Sequence, residues 1–338
     1  MKIWNKVIEI FDNPLYGQIF VARCHDTGEG ATIENARLFK DAIAKRKTKD
    51  GQGHDLQFNR QTYSKFTKNQ LQHHETDILD LHSLRLGVNS ISALSGGIID
   101  KSITKLNLSD NCISDFGMHA VNSLLLPNLG SDNHRIHNKE GDHAKITHLN
   151  IASNMISSEG IEYILEDLIK NSNLIHLDLG YAKGSLVKNS LGIQGAVCIS
   201  ALLIRNKHLQ SLYLDNTDLG SEGGECLGIA LGQNQSIKKL KLSENELKSE
   251  GAIPIIKSCI KYKSNEDNFN ESIESLDLSQ NSLKSDTGRY ISSLLKLTST
   301  LKQLYLQYNE LMVEGCKSIA KGLKLNNTLQ VLNIKGNI

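Results

Sequence analysis

The residues best suited to hold a metal ion lie in one polar stretch. His134 and His137 are separated by two residues, and His143 follows them, with Asp132 and Asp142 nearby. Imidazole nitrogens and carboxylate oxygens are zinc ligands in proteins. The stretch is polar and contains glycine, so its sequence fixes no coordination geometry. We interpret it as a solvated loop and predict neither a metal nor a cofactor.

A second candidate is a cysteine nucleophile. Cys24, His25 and Asp26 are adjacent in the chain, and a thiolate beside a base can start covalent catalysis. A thiol needs surroundings that lower its pKa, and no neighbouring motif supplies them. The sequence also contains no P-loop, no nucleophile elbow and no H-E-x-x-H motif. We therefore predict that the protein is not an enzyme.

Composition argues against several other classes. The 338 residues include 38 basic and 37 acidic ones, a net charge of +1, and 5% aromatics, so nothing favours nucleic acid as a partner. No apolar run approaches the ~18 residues of a membrane span, and the N-terminus lacks an apolar signal core. The six cysteines are scattered without C-x-x-C pairs. We read them as reduced thiols and expect a reducing, cytoplasmic compartment.

The strongest pattern is a repeat of the form L-x-L-x-x-N-x-L, as in LKLSENEL from Leu240 to Leu247. Its copies align on the third residue after the second leucine. That position holds Asn89, Asn111, Asn154, Ala182, Thr217, Asn245, Asn281, Asn309 and Asn337. Four of the eight steps between them are 28 residues, and the longer steps equal 28 plus 15, 7 or 8. This period predicts a solenoid of strand, turn and helix units.

Each repeat supplies half of a core. The alternation in L-x-L predicts a strand with its leucines pointing inward. After the repeat glycine, as at Gly251, apolar residues recur at helical spacing. The asparagine follows the strand, where its amide can bond backbone groups that the turn would leave unpaired. We assign this structural role to Asn111, Asn154, Asn245, Asn281 and Asn309.

Repeats of 28 residues with L-x-L-x-x-N-x-L-x-x-E-G-A and an amphipathic helix resemble the ribonuclease-inhibitor subtype of leucine-rich repeats. The resemblance covers about residues 80–338. It implies an α/β horseshoe of about nine repeats, with a parallel sheet on the concave face and helices on the convex face. The dense cysteine pattern of ribonuclease inhibitor itself is missing, which argues against that activity.

Two further resemblances concern bacterial proteins. The composition and irregular insertions are similar to those of leucine-rich-repeat effectors that intracellular bacteria deliver into a eukaryotic host by type IV secretion. The Cys24-x-Asp26 spacing resembles the nucleophile motif of bacterial leucine-rich-repeat ubiquitin ligases. Those enzymes carry a large separate catalytic domain, for which this chain has no room outside its repeats.

We divide the chain into an N-terminal capping region, residues 1–77, and a repeat domain, residues 78–338. The capping region is expected to be partly helical, with a helix over 32–47. Insertions at 127–145, 180–192 and 261–272 interrupt the repeats and are expected to line one rim. The chain stops after the strand of its last repeat, an end that we expect to be blunt or trimmed.

The strand residues between the leucines should form the binding surface. Tyrosines on a rigid frame are common anchors of protein interfaces. We predict that a monomer binds one folded protein through this concave face. The residues assigned to it are His148, Asn150, His176, Asp178, Tyr213, Asp215, Lys239, Lys241, Asp277 and Tyr305, with Tyr181 and Tyr308 just beyond their strands.

Two alternatives stay open at this point. One is a GTPase-activating protein of the Ran-activator type, which shares the repeat subtype but usually carries an acidic C-terminal segment that this chain lacks. The other is the sensor array of a larger receptor. If the chain is an effector, its partner is a host protein and it enters the host cytosol by a route other than Sec.

Overall fold

The computed structural model describes residues 10–11, 14–48, 77–97, 103–125, 146–261 and 269–337. Within them lie nine short strands and ten helices. The strands are β1 Ile78–Asp80, β2 Lys105–Asn107, β3 His148–Asn150, β4 His176–Asp178, β5 Ser211–Tyr213, β6 Lys239–Lys241, β7 Ser275–Asp277, β8 Gln303–Tyr305 and β9 Val331–Asn333. The helices are α1 Pro14–Thr27, α2 Ile33–Thr48, α3 Val88–Gly97, α4 Ser114–Leu125, α5 Ser158–Lys170, α6 Gly192–Arg205, α7 Gly220–Gly232, α8 Lys248–Ser258, α9 Thr287–Leu297 and α10 Met312–Leu323.

The strands form one open parallel sheet in chain order, β1 to β9. Their register places the first leucine of each L-x-L opposite its counterpart, as in the row Leu212, Leu240 and Leu276. These leucines are fully buried and point toward the helices on the convex side of the sheet. The prediction of an α/β leucine-rich-repeat solenoid with about nine repeats is confirmed. Each repeat closes its core only against its neighbours.

A ladder of buried asparagine side chains joins consecutive repeats. Asn245 Oδ1 accepts the backbone N–H groups of Thr217 at 3.0 Å and Leu219 at 3.3 Å, both in the preceding repeat. Asn245 Nδ2 donates to the carbonyls of Leu214 at 2.6 Å and Ser243 at 3.0 Å. One amide therefore pairs backbone groups of two turns that are closed to water. Equivalent bonds are made by Asn111, Asn154, Asn281 and Asn309.

The structure corrects the alignment of two repeats. Ala182 does not occupy the ladder position, which is taken by Asn189 seven residues later. Asn189 Oδ1 accepts the N–H of Asn154 at 2.9 Å, and its Nδ2 donates to the Leu179 carbonyl at 2.8 Å. The insertion therefore lies between the strand and the asparagine. A fixed count of residues from the strand leucines reaches Ala182 and misses Asn189.

In the first repeat the strand is Ile78–Asp80, so the ladder position falls on Leu84 and not on Asn89. Leu84 has no amide to continue the ladder, and its own N–H donates to Asn111 Oδ1 at 2.9 Å. Asn89 lies in the first turn of α3, where it bonds Asp26. The L-x-L of Leu84 to Leu86 imitates a strand motif but forms the turn.

The repeat glycines set the distance between convex helices. A Cβ built on Gly251 would lie 2.6 Å from the backbone oxygen of Ser221 on the neighbouring helix. One built on Gly224 would lie 2.9 Å from Gly251 itself. Helices α7 and α8 therefore approach backbone to backbone. The glycine of the consensus Glu-Gly pair is explained by this contact, because a side chain at Gly251 would push the helices apart.

Polar contacts fasten the N-terminal helices to the first repeat, and most of them are made by the Asp26 carboxylate; Arg23 Nε also donates to the Leu84 carbonyl at 2.6 Å. Asp26, in α1, accepts the backbone N–H groups of Gly87, Asn89 and Ser90 at 2.9–3.0 Å and the Ser90 hydroxyl at 2.5 Å. It therefore caps the N-terminus of α3 from another helix. Burial acts to raise the pKa of Asp26, but these hydrogen bonds outweigh it and the pKa is lowered.

Asn245→Ala should lower the free energy of unfolding by about 3 kcal/mol or more. The change leaves several buried backbone groups unpaired, each at a cost of about 1–3 kcal/mol. Urea denaturation followed by circular dichroism measures the loss. Asn173→Ala, at an exposed position, is the control and should change stability by less than about 0.5 kcal/mol. Equal effects of the two changes would contradict the role of the ladder.

Asp26→Ala should release α1 from α3 without unfolding the later repeats. Three backbone N–H groups and one hydroxyl lose their acceptor, at a cost of about 2 kcal/mol or more. Hydrogen exchange with mass spectrometry should show faster exchange in 14–27 and 88–97 and unchanged protection in 211–258. Faster exchange throughout would show that the cap is needed by the whole array.

A candidate protein-binding face

The concave face consists of the strand side chains that point away from the helices. The structure places the predicted residues His148, His176 and Lys239 at the first position of their strands. The third position of the strands holds Asn150, Asp178, Tyr213, Lys241, Asp277 and Tyr305. Asp215 lies two residues beyond Tyr213. Strand pairing thus brings these ten residues onto one surface.

The centre of this face is an aromatic and cationic stack across four strands. The rings of His148 and His176 have centroids 5.6 Å apart. His176 meets Tyr213 edge to face at 4.7 Å, and Lys241 Nζ lies 4.2 Å from the centroid of Tyr213. Each side chain is held by the next, so the surface is fixed before any partner arrives.

This stack is more buried than its sequence positions suggested. His176 is 6% exposed, Tyr213 7% and Asn150 7%. Neighbouring strands lie only about 4.8 Å apart, so large side chains on adjacent strands cover one another. Tyr213 therefore offers little surface to a partner, contrary to the expectation of an exposed anchor. Tyr305 is half-buried and Tyr308 is 52% exposed, so these two present more of their rings.

Tyr181 belongs to the ordered insertion and not to the strands. Its hydroxyl donates to the Ser185 carbonyl at 2.7 Å, which closes the loop on itself. At the far end of the same loop, Lys188 Nζ pairs with Asp218 Oδ1 at 2.5 Å. The loop is thereby fastened to the next repeat along the rim. Most of the insertion at 261–272 and all of that at 127–145 lie outside the described residues, as do the three histidines considered as metal ligands.

His176 is electrically neutral at physiological pH. Burial lowers its pKa to about 3, assisted by the nearby positive charges of His148, Lys241 and Lys239. Its Nε2 is buried and has no hydrogen-bond partner among the described residues. Burying a ring nitrogen without a hydrogen-bond partner costs free energy. Such unpaired buried atoms are unusual outside functional sites.

The positive charge of Lys241 acts on three carboxylates of the same face. Burial raises the pKa of Asp178 to about 7, with a further increase from the negative charge of Asp215 and opposition from the Gly180 N–H and Lys241. Burial also raises the pKa of Asp215 to about 6. The pKa of Asp277 is raised for the same reason. Asp178 and Asp215 therefore change charge near neutral pH, where ordinary aspartates do not.

The cysteine candidate fails for a physical reason. Cys24 is 5% exposed, and burial raises the pKa of its thiol. Asp26, the second member of the motif, is occupied in capping α3. A protonated, buried thiol whose neighbouring carboxylate is occupied has no route to nucleophilic catalysis.

The comparisons with known proteins agree with the fold. A family model described as "Leucine Rich repeat" matches residues 100–121, 143–165, 205–228 and 233–255. With the nine-stranded sheet, these matches show that the chain is a leucine-rich repeat protein, as the sequence predicted. No curated protein sequence matches the chain. Leucine-rich repeats form extended concave binding surfaces, which supports a protein-interaction module.

Two solved structures show distant similarity. One, entitled "Leiomodin-1 Actin-Binding Site 2", has 17% identity over 53% of this chain and 82% of its own, with a TM-score of 0.31. The other, the tropomodulin C-terminal domain of Caenorhabditis elegans, has 12% identity over 50% and 77%, with a TM-score of 0.31. Similarity this distant says nothing about what the present chain binds.

None of the described helices combines the length and the apolar composition that crossing a bilayer requires.

Asp178→Asn should stabilise the protein at pH 8 and leave its stability unchanged at pH 4. A carboxyl with a raised pKa in the folded state stabilises the fold while protonated and loses that contribution as pH rises toward about 7. Asparagine keeps the acceptor for the Gly180 N–H and removes the charge. The gain at pH 8 should be roughly 1–3 kcal/mol, allowing for partial exposure.

Urea denaturation at the two pH values measures this effect. Asp218→Asn is the matched control, because the pairing of Asp218 with Lys188 and Ser190 lowers its pKa despite partial burial. That substitution should stabilise at neither pH. If Asp178→Asn raised the free energy of unfolding equally at pH 4, the gain could not come from removing the negative charge of Asp178.

Proposed function

We propose that the chain is a non-enzymatic module that binds one folded protein on its concave face. The observation that carries this proposal is the continuous polar surface of β3 to β8, whose side chains are held in place by their neighbours. A partner that meets such a surface loses little conformational entropy in ordering it. The concave rows and the ordered insertion at the rim together form the surface that we assign to this partner.

Within this surface, we assign the anchoring role to the tyrosines near the C-terminal repeats. Tyr305 lies at the third position of β8, and Tyr308 follows it on the rim with more than half of its surface exposed. Lys335 Nζ lies 5.8 Å from the ring centroid of Tyr308. Tyrosine combines a large apolar ring with a polar end at a low entropic cost, which suits an interface anchor.

A finer proposal concerns the source of the partner. The compositional similarity to secreted effectors favours a protein of a eukaryotic host cell. Affinity capture with the wild-type chain from a eukaryotic lysate and, in parallel, from a bacterial lysate tests this point. A partner recovered from the bacterial lysate alone would contradict the host assignment without touching the concave-face proposal.

For a purified captured protein, Tyr305→Ala/Tyr308→Ala should raise the Kd by at least about tenfold, as loss of two anchor residues does elsewhere. Tyr163→Ala/Tyr290→Ala, which removes two tyrosines from the helices α5 and α9, is the matched control and should leave the Kd within about threefold. Circular dichroism checks that both variants are folded. Equal Kd values for the two double variants would move the binding site to the insertions or to the N-terminal region.

A further inference from the structure

We propose that His176 and Ser211 form a notch on the concave face that receives an aspartate or glutamate side chain of the protein partner. This inference rests on the proposed function and specifies the chemistry of the partner. The two residues lie side by side, at the first position of β4 and of β5. Lys239 holds the same position on the next strand, β6.

The notch belongs to a row of strand residues that contains no acidic side chain. Strand register sets the first residues of β1 to β9 next to one another. In chain order they are Ile78, Lys105, His148, His176, Ser211, Lys239, Ser275, Gln303 and Val331. The aspartates Asp178, Asp215 and Asp277 lie at the third strand position or beyond it. The row is thus neutral or basic along its whole length, which suits a negatively charged ligand.

Ser211 leaves a gap in this row between two larger side chains. His176 and Lys239 flank it, and two strand spacings place their backbones about 10 Å apart. Ser211 is only half-buried, so the gap is open to solvent. Its hydroxyl makes no hydrogen bond to another described residue. A hydroxyl at the floor of an open gap is a ready donor to a ligand.

The ring of His176 supplies the second donor. It is 6% exposed, and its Nε2 has no hydrogen-bond partner in the part of the chain that the structure describes. The rings of His148 and Tyr213 hold it from both sides, with centroids at 5.6 and 4.7 Å. Nε2 is covered in the free protein, so a carboxylate meets Ser211 first and a small rotation of the ring completes the site. Two donors on adjacent strands suit the two oxygens of one carboxylate.

The charges around His176 favour an anion. Burial, and then the positive charges of His148, Lys241 and Lys239, lower the pKa of His176. The same positive potential that opposes a second proton on the ring stabilises a carboxylate placed beside it. Hydrogen bonds to a carboxylate are also about twice as strong as those to a neutral acceptor. The notch should therefore select glutamate over its uncharged counterpart glutamine.

The test uses the acetylated, amidated peptides Gly-Glu-Gly and Gly-Gln-Gly, which have the same shape and differ by one charge. Each is titrated into the full chain, isotopically labelled in histidine, and the ring signals of His148 and His176 are followed by NMR in phosphate-free buffer. The glutamate peptide should shift these signals saturably, and the glutamine peptide should bind at least about tenfold more weakly. Ser211→Ala and His176→Phe should each weaken the glutamate peptide at least about tenfold.

The matched control is Ser275→Ala, which removes a serine hydroxyl from the same row on the other side of Lys239. It should bind the glutamate peptide as the wild type does, and circular dichroism checks that all three variants are folded. Equal binding of the two peptides, no shift of either ring signal, or equal weakening by Ser275→Ala and Ser211→Ala would overturn the notch.

Two further measurements separate this inference from its alternatives. Inorganic phosphate that binds the wild type more tightly than the glutamate peptide would show a site for free anions and contradict the acidic side chain. If Ser211→Ala keeps full affinity for a captured partner that the tyrosine variant loses, this inference fails while the concave-face function stands.

Discussion

The pairing of buried turn backbone by side-chain amides is the constraint on which this structure depends. Each turn must leave the sheet inside the protein, where water cannot bond its N–H and C=O groups. An asparagine solves this for two repeats at once, because Asn245 Oδ1 accepts from the turn of the preceding repeat and Nδ2 donates both to that repeat, at Leu214, and to its own turn, at Ser243. This bonding requires a regular repeat, because the amide reaches the turn of the preceding repeat only if successive turns lie one strand spacing apart.

The same stacking produces the concave face. Parallel pairing in strict register sets Tyr213 beside Lys241, and the first strand position of His176 lies diagonally across from Tyr213, close enough for their rings to meet. Their burial, their lowered or raised pKa values and their fixed directions all result from that spacing. The repeat thus fixes the geometry of the concave surface, and the side chains at the outward-facing strand positions determine its chemistry.

The fold was accessible from the sequence because leucine spacing reports burial directly. The strand positions of the concave residues also followed from it. The distances between side chains on neighbouring strands could not be predicted from the sequence. The burial of His176 and Tyr213 depends on ring contacts between repeats that are 35 residues apart in the chain. The insertion hid Asn189, although Asn189-Ser190-Leu191-Gly192 parallels Thr217-Asp218-Leu219-Gly220. In the first repeat, Leu84-Arg85-Leu86 matches the strand motif but lies in the turn, so Asn89 was assigned to the ladder position wrongly.

The ladder changes character between the fourth and fifth repeats. Thr217 has no amide, and its side chain bonds only within its own repeat and to Asn245. The two turns are joined instead by the Thr217 carbonyl, which accepts the N–H groups of Leu191 and Gly192, and at the surface by Asp218, bonded to Lys188 and Ser190. Exposed ion pairs weaken in salt, whereas buried amide bonds do not. At this one step of the solenoid, part of the contact between turns is therefore sensitive to ionic strength, whereas the asparagine bonds at the other steps are not.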